Sequence, residues 1–226
     1  NRKLIKNNYL EKLNNSKKPF IIYKSDKGFD LYTDFSKKII LNNKNIKKFI
    51  NKNTKLRSNN KETDLFIGFF GYEILNNLIG IKIKKQKTLN FPKGIFYKPE
   101  TKVKLSNKLE YYNPKLVKSN EPFKININKN SYKIIFDKFK KKIKSGETYQ
   151  IKICTKYSNK SNLDALDFFC RLVKTNTAPE AFMIKDKDYS IISCSPENLI
   201  NKKNNLITTK PIAGTLKKTK KLNMIK

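Results

Sequence analysis

The chain is expected to fold as an α+β protein, with antiparallel sheets and helices packed against them. Three features predict this class. Residues 131–144 and 162–174 repeat their apolar positions at helical spacing. Residues 181–193 and 199–209 each fold an apolar run back across a polar turn. The alternation of strand and helix that a Rossmann or barrel arrangement needs is missing.

In chain order, residues 18–23 (Lys-Pro-Phe-Ile-Ile-Tyr) and 37–41 read as strands, and residues 44–52 as a short helix. An apolar strand over 65–70 runs into Gly71, and 95–97 is another short strand. Residues 115–130 are polar, end in an Asn/Lys-rich stretch, and are the best linker candidate. They divide the chain into an N-terminal region, 1–114, and a second region, 131–226.

The clearest helix covers 131–144. Ser131 can cap it, Tyr132, Ile135, Phe136, Phe139 and Ile143 share a face, and Lys140, Lys141, Lys142 and Lys144 suit its C-terminal dipole. Gly146 closes it. A strand is expected over 148–157, then a helix over 162–174 with Leu163, Leu166, Phe169, Cys170 and Val173 inward. A hairpin pairs 181–184 with 189–193, and a second occupies 199–209 with its tip at 202–205.

At 226 residues and 38% hydrophobic content, the chain can bury the core of one or two domains. No apolar run approaches the roughly 20 residues of a membrane span. The net charge of +33 suggests an anionic partner. Only Arg2, Arg57 and Arg171 are arginines, however, and nucleic-acid readout favours that side chain's planar fork. Lysines spread evenly among Asn and Ile are a solvated surface rather than a binding stripe, which argues against a nucleic-acid partner. The charge would still steer small anions or an acidic partner.

Cys154, Cys170 and Cys194 are odd in number and show no Cys-x-x-Cys spacing, which suits a reducing cytoplasm. Histidine is absent, so Ser-His and Cys-His catalysis, His-based zinc sites and a built-in Cys-His-Glu glutaminase are excluded within this chain.

The residues with chemistry lie near the C-terminus. Ser195-Pro196-Glu197 precedes the 199–209 hairpin, and Pro211-Ile212-Ala213-Gly214-Thr215 follows it. A hairpin returns the chain, so a carboxylate at its start and Ala-Gly-Thr at its end can share one site. Gly214 allows a backbone N–H close approach to a ligand, and Thr215 adds a hydroxyl donor. A carboxylate facing such donors suits acid catalysis on a small anion. Either tripeptide alone would be an ordinary surface turn.

The flanking residues make the pattern specific. Gly146-Glu147-Thr148-Tyr149-Gln150, Asn176-Thr177-Ala178-Pro179, Ser193-Cys194-Ser195-Pro196-Glu197 and Lys210-Pro211-Ile212-Ala213-Gly214-Thr215 follow one another in an order that resembles the chorismate-utilising family. The match is strongest to component I of anthranilate synthase and of aminodeoxychorismate synthase. Gly68-Phe69-Phe70-Gly71-Tyr72-Glu73 resembles the same group's N-terminal Gly-x-x-Gly-Tyr element. The resemblance is dense over 131–215, sparse over 18–99 and absent over 101–130. It implies an anthranilate synthase component I-like fold, with 131–226 as the beginning of the chorismate-binding catalytic domain and the whole chain as a truncated piece.

In that family the Glu of Ser-Pro-Glu protonates the departing C4 oxygen of chorismate, and the matching residue is Glu197. Such an acid needs a pKa raised by burial. Gly214 and Thr215 match the family's substrate-contacting pair. Water-adding branches place a lysine base at the position aligned with Gln150, and glutamine cannot be that base. Lys152, two residues on, would share its strand face. Aminodeoxychorismate synthases often carry a nucleophilic lysine at the position of Ala213, and alanine leaves ammonia to add directly, as in anthranilate synthase.

Asn176-Thr177-Ala178-Pro179-Glu180-Ala181-Phe182 is instead closer to the aminodeoxychorismate branch. Lys24 and Glu180 would bring charge to the place where tryptophan-regulated relatives keep small apolar lining, which argues against feedback binding. Gly71 and Tyr72 are expected to serve packing. The resemblance further implies Mg²⁺, with ligands expected downstream and none in this chain, and a glutamine amidotransferase subunit as the ammonia source. It makes anthranilate formation in the cytoplasm the expected activity, with the chain inactive by itself.

Overall fold

The computed structural model describes residues 9–53, 62–81, 91–105, 109, 121–203 and 205–212, the side chains of 75–77 excepted. Its packing separates two units, residues 1–114 with 165–226, and residues 115–164. Strands that follow residue 165 therefore return to the sheet begun before residue 114.

In the larger unit, α1 (Tyr9–Asn15) leads into β1 (Phe20–Ser25) and β2 (Gly28–Ile40). These two strands form a hairpin whose last pair is Ser25 with Gly28, and Gly28 takes a φ of 133° that a side chain would resist. Helix α2 (Ile46–Asn53), β3 (Ile67–Phe70), α3 (Tyr72–Leu78) and β4 (Gly94–Leu105) follow. After the second unit come α5 (Ala165–Thr175), β7 (Glu180–Lys185) and β8 (Ser190–Ser195), then a separate hairpin of β9 (Asn201–Lys203) and β10 (Leu206–Thr208). Six strands make one sheet in the order β3-β4-β2-β1-β7-β8, with every neighbouring pair antiparallel. The α+β expectation is met.

The two-residue strand period sorts side chains to opposite faces. Phe20, Ile22, Phe29, Leu31, Ala181 and Met183 pack with Leu166, Phe169 and Cys170 of α5 on one face. Ile21, Tyr32, Ile95, Tyr97 and Ile184 form the core of the other. Phe29 and Phe169 meet edge to face at 6.0 Å. Leu41, Ile46 and Ile74 make a third cluster beneath α2 and α3. The inward set expected of the 162–174 helix is present at Leu166, Phe169, Cys170 and Val173, whereas Leu163 precedes the helix and is exposed.

Two strands run longer than the sequence predicts. Strand β2 begins at Gly28 rather than near residue 37, and β4 continues to Leu105. Their hidden portions contain charges that become tolerable only when paired. Asp30 is buried, and Lys102 of β4 reaches its Oδ2 at 3.2 Å. Burial alone would lower the Lys102 pKa, but the bond to Asp30 and the nearby Tyr32, Asp30 and Glu62 together outweigh it and raise it. Gly68 is dictated by β4 as well. A Cβ there would fall 1.9 Å from the Ile95 carbonyl oxygen, and one on Gly71 would fall 2.5 Å from that of Lys93.

At the β7–β8 turn, buried Asp186 accepts from Lys38 at 2.6 Å, from the Tyr97 hydroxyl and from the Lys187 backbone N–H at 2.8 Å. Burial alone would raise its carboxyl, yet these bonds outweigh it and hold the carboxyl below its ordinary range. Burial, with the Asp186 charge adding, pushes the adjacent Tyr189 hydroxyl up to about 12.

The smaller unit contains β5 (Lys124–Ile125), α4 (Lys129–Lys144) and β6 (Tyr157–Ser158), with β5 and β6 antiparallel. The cap of α4 is Asn128, not Ser131. The Asn128 side chain accepts from the Ser131 N–H at 2.9 Å, because the helix starts two residues earlier than expected. Gly146, at a φ of 75°, does close the helix. Its N–H bonds the Ile143 carbonyl and the Glu147 N–H bonds that of Lys142, a Schellman pair. The expected apolar face forms but is not covered by described residues, and Tyr132, Phe136 and Ile143 remain exposed. The strand expected over 148–157 is a correction, since only Tyr157 and Ser158 pair. A strand exists where a neighbour takes its N–H and C=O groups, and among the described residues of 148–156 only Lys156 finds one, in Asn126, whose N–H donates to its carbonyl at 3.0 Å.

Two outcomes follow for stability. Phe169→Ala is expected to cost about 3–5 kcal/mol in a denaturant titration, since it empties a fully buried site. Asp186→Ala is expected to cost about 1.5–3 kcal/mol at neutral pH. Because the folded carboxyl is depressed, that contribution is full above the unfolded pKa near 4 and fades as pH falls through the lower folded value. Titrations at pH 7 and pH 2.5 should show the two proteins converging in acid; an unchanged gap would mean that Asp186 is not held as the anion.

Candidate functional site

Strand β8 delivers Ser195 to the edge of the sheet, and Pro196, having no N–H, ends the ladder there. The Ser195 hydroxyl then donates to the Glu197 carbonyl at 2.9 Å, closing a tight local turn. Beyond it, β9 and β10 pair Lys203 with Leu206, Lys202 with Ile207 and Asn201 with Thr208. The Thr209 hydroxyl donates to the Leu199 carbonyl at 2.9 Å, which extends the closure below the strands. The hairpin therefore brings Lys210, Pro211 and Ile212 back alongside the turn from which it left.

The consequence is a direct bond. The Ile212 backbone N–H donates to Glu197 Oε1 at 3.0 Å. The carboxylate at the start of the hairpin thus meets the backbone at its end. Ala213, Gly214 and Thr215, expected to line the site, lie outside the described residues. Glu197 itself is exposed, as are Leu199, Ile200, Leu206, Ile207 and Ile212 along the hairpin. The burial that an acid role calls for is not supplied by the described residues.

Gln150 belongs to the smaller unit. It is exposed, and its carbonyl accepts from the Thr148 hydroxyl at 3.2 Å. Lys152 is exposed too, and without a strand over these residues the same-face relation between it and Gln150 lapses. Of the expected site residues, the structure therefore joins Glu197 to the segment leading into Ala213 and leaves Gln150 described only within its own unit.

One polar system at this end was not anticipated. Glu180 opens β7 opposite Ser195, and its Oε1 accepts from the Asn198 side-chain amide at 2.8 Å. Its Oε2 accepts from the Tyr23 hydroxyl at 2.7 Å. Lys24 donates to the Ala178 carbonyl at 2.6 Å. The two charges that the sequence places between β1 and β7 thus have hydrogen-bond partners. The signal available beforehand was the charge itself at Glu180, in a position where small apolar residues were expected.

Among the described residues, no group of three or more Asp, Glu or Cys stands close enough to hold a metal ion. The described residues therefore supply no preformed cluster for a magnesium ion. No helix among them is long and apolar enough to cross a membrane. Cys154, Cys170 and Cys194 form no disulfide among the described residues.

With the geometry in place, comparison with known proteins is decisive at the family level. The model of the family described as chorismate binding enzyme matches residues 7–224. The chain belongs to that family. An anthranilate synthase component I-like protein of Synechocystis sp. is 24% identical over 182 residues, which cover 70% of this chain and 38% of that protein. Aminodeoxychorismate synthase component 1 of Bacillus subtilis is 33% identical over 79 residues, 35% of this chain and 17% of the relative. The crystal structure of anthranilate synthase component I from Streptococcus pneumoniae superposes with a TM-score of 0.60 at 19% identity, over 84% of this chain and 51% of that one. It shows that the fold is shared. The chain spans well under two thirds of the length of each of these relatives.

Because Glu197 is exposed and binds one backbone amide, it should matter little to the fold of this chorismate binding enzyme chain. Glu197→Ala is expected to lower the unfolding free energy by about 1 kcal/mol at most. In the same variant the Ile212 amide should exchange its hydrogen faster, followed by NMR; an unchanged rate would show that Glu197 does not hold that amide.

Proposed function

We propose that this chain provides the general acid and part of the substrate wall of a chorismate-aminating synthase of the anthranilate synthase component I type. The observation that carries the reading is the bond from the Ile212 N–H to Glu197, which joins Ser195-Pro196-Glu197 to the segment entering Ala213-Gly214-Thr215. Family membership over nearly the whole chain supports it.

In this reading ammonia adds at C2 of chorismate as the C4 hydroxyl departs. Glu197, protonated, delivers its proton to the leaving oxygen, so that water is released and the acid becomes a carboxylate. The Ile212 N–H orients the carboxyl. Gly214 and Thr215 contact the substrate. The amino intermediate then loses its C2 proton and its side chain as pyruvate, leaving the aromatic 2-aminobenzoate. Ala213 has no amine to attack C2, and the nearest lysine, Lys210, precedes Pro211. Ammonia from a separate glutamine amidotransferase subunit in the cytoplasm is therefore the nucleophile, and Gln150 offers no base to activate water instead.

A second reading, aminodeoxychorismate synthase component I, is favoured by one observation. Ala178-Pro179 resembles that branch. Chromatography of the products separates the two. The full-length protein with chorismate, ammonium and Mg²⁺ is expected to release fluorescent 2-aminobenzoate with no covalent adduct on the protein. A dominant 4-amino product would transfer the assignment to the second reading. Isochorismate formed without ammonium would reinstate Lys152 as a base.

Glu197→Gln in the full-length protein is expected to lower kcat on the order of 10²–10⁴-fold with chorismate affinity largely kept, because it removes a proton donor and little volume. Turnover near the unmodified level would remove Glu197 from the acid role. The 226-residue chain by itself is expected to leave chorismate unconsumed, since it holds only the acid and part of the substrate wall, with no histidine and, among the described residues, no recognisable magnesium site.

A further inference from the structure

We propose that Glu180 is a positioning residue that ties the Glu197-bearing turn to the middle of the sheet, through Asn198 on one carboxylate oxygen and Tyr23 on the other. The inference rests on the reading of Glu197 as the acid, and it concerns a residue that touches neither substrate nor Glu197.

The turn from Ser195 to Asn198 needs two fixed ends if Glu197 is to keep one orientation. Its first end is fixed by backbone pairing, since Ser195 lies opposite Glu180 in the β7–β8 ladder. Pro196 cannot extend that ladder, so the backbone supplies no second anchor through it. The side chain of the same Glu180 supplies it, with Oε1 accepting from the Asn198 amide at 2.8 Å. One residue thus holds both ends of the segment, by its main chain at Ser195 and its side chain at Asn198.

A carboxylate held by one partner can still swing about its χ angles. The Tyr23 hydroxyl, at 2.7 Å from Oε2, removes that freedom. Tyr23 is itself fixed, because β1 pairs it with Phe182 on β7 and with Asp30 on β2. Burial first, and then the bond to Glu180, raise the Tyr23 hydroxyl pKa, so it stays a donor across the working pH range. Lys24, donating to the Ala178 carbonyl at 2.6 Å, steadies the segment that enters Glu180. A rigid acid is worth having, since a misplacement of about 1 Å can cost about 10²-fold in rate.

The test has a spectroscopic arm on the 226-residue chain and a kinetic arm on the full-length protein. By NMR, the Asn198 side-chain amide should give a resolved, shifted proton pair that Glu180→Ala collapses toward free-amide positions, with the β1 and β2 backbone signals unmoved. In turnover, Glu180→Ala should lower kcat on the order of 10–100-fold with KM within about 3-fold. Tyr23→Phe should fall between Glu180→Ala and the unmodified protein, and Glu180→Gln should recover part of the loss by keeping one acceptor.

An Asn198 signal indifferent to Glu180→Ala would overturn the tether, whatever the enzyme makes. A collapsed signal with kcat unchanged, while Glu197→Gln still abolishes turnover, would overturn the positioning role and leave the acid assignment standing. Full turnover in Glu197→Gln would defeat the acid assignment first, and the positioning role with it. If Glu180→Ala fails to fold, Tyr23→Phe and Glu180→Gln carry both readouts.

Discussion

Strand β1 sits between two partners that reach it from opposite ends of the chain, and this double pairing organises the larger unit. β2 arrives through a tight turn, and β7 arrives only after the chain has built α5. Both faces of β1 are buried, with Phe20 and Ile22 against α5 on one side and Ile21 among Tyr32, Tyr97 and Ile184 on the other. A slip of one residue would exchange these two sets and set the Tyr23 hydroxyl on the wrong face. The register is therefore strongly specified. Every element that matters to the site inherits its position from it, because β7 pairs with β1, β8 with β7, and Ser195-Pro196-Glu197 is the end of β8.

The same chain of dependence explains how an exposed loop can hold a defined geometry. The hairpin after Glu197 contributes little apolar burial, since its described side chains face solvent. It is held instead by directional bonds, from Ile212 to Glu197, from Thr209 to Leu199 and from Asn198 to Glu180. Hydrogen bonds of this kind are worth about 1 kcal/mol each, which favours one arrangement without freezing it. A site built this way relies on the sheet for precision and on whatever packs over the hairpin for burial.

The parts legible in the sequence were those whose information is local. Helix α5 announced itself by Leu166, Phe169, Cys170 and Val173 at helical spacing, and the β7–β8 and β9–β10 hairpins by turn residues between apolar runs. The meeting of Glu197 with the segment before Ala213 followed from the second hairpin alone. What stayed hidden needed partners far along the chain. Asp30 makes the start of β2 look like a loop until Lys102 is seen across the ladder. Residues 148–156 have a strand's composition, but pairing is a property of two segments, and among the described residues only Asn126 meets them, at Lys156. The tether from Glu180 to Asn198 required the register of β7 on β8, which no spacing rule provides. Asn128 took the cap of α4 from Ser131 because both are good caps, and the choice turned on where the helical hydrogen bonds begin.

The charge of the chain bears on the same site. With 51 basic against 18 acidic residues, complete pairing would still leave a net +33. Two of the buried acids are paired with lysine, Asp30 with Lys102 and Asp186 with Lys38, so lysine takes a structural part where burial makes an unpaired carboxylate costly. The remaining positive charge is spread along the chain and adds little to the fold. It does set a field that draws anions toward the whole surface, with a reach of about 8 Å at physiological ionic strength. Such a field gives concentration without selectivity. In the proposed function, selectivity for a dicarboxylate such as chorismate has to come from fixed donors beside Glu197, so the geometry that the sheet imposes on that turn matters more to that function than the charge that dominates the composition.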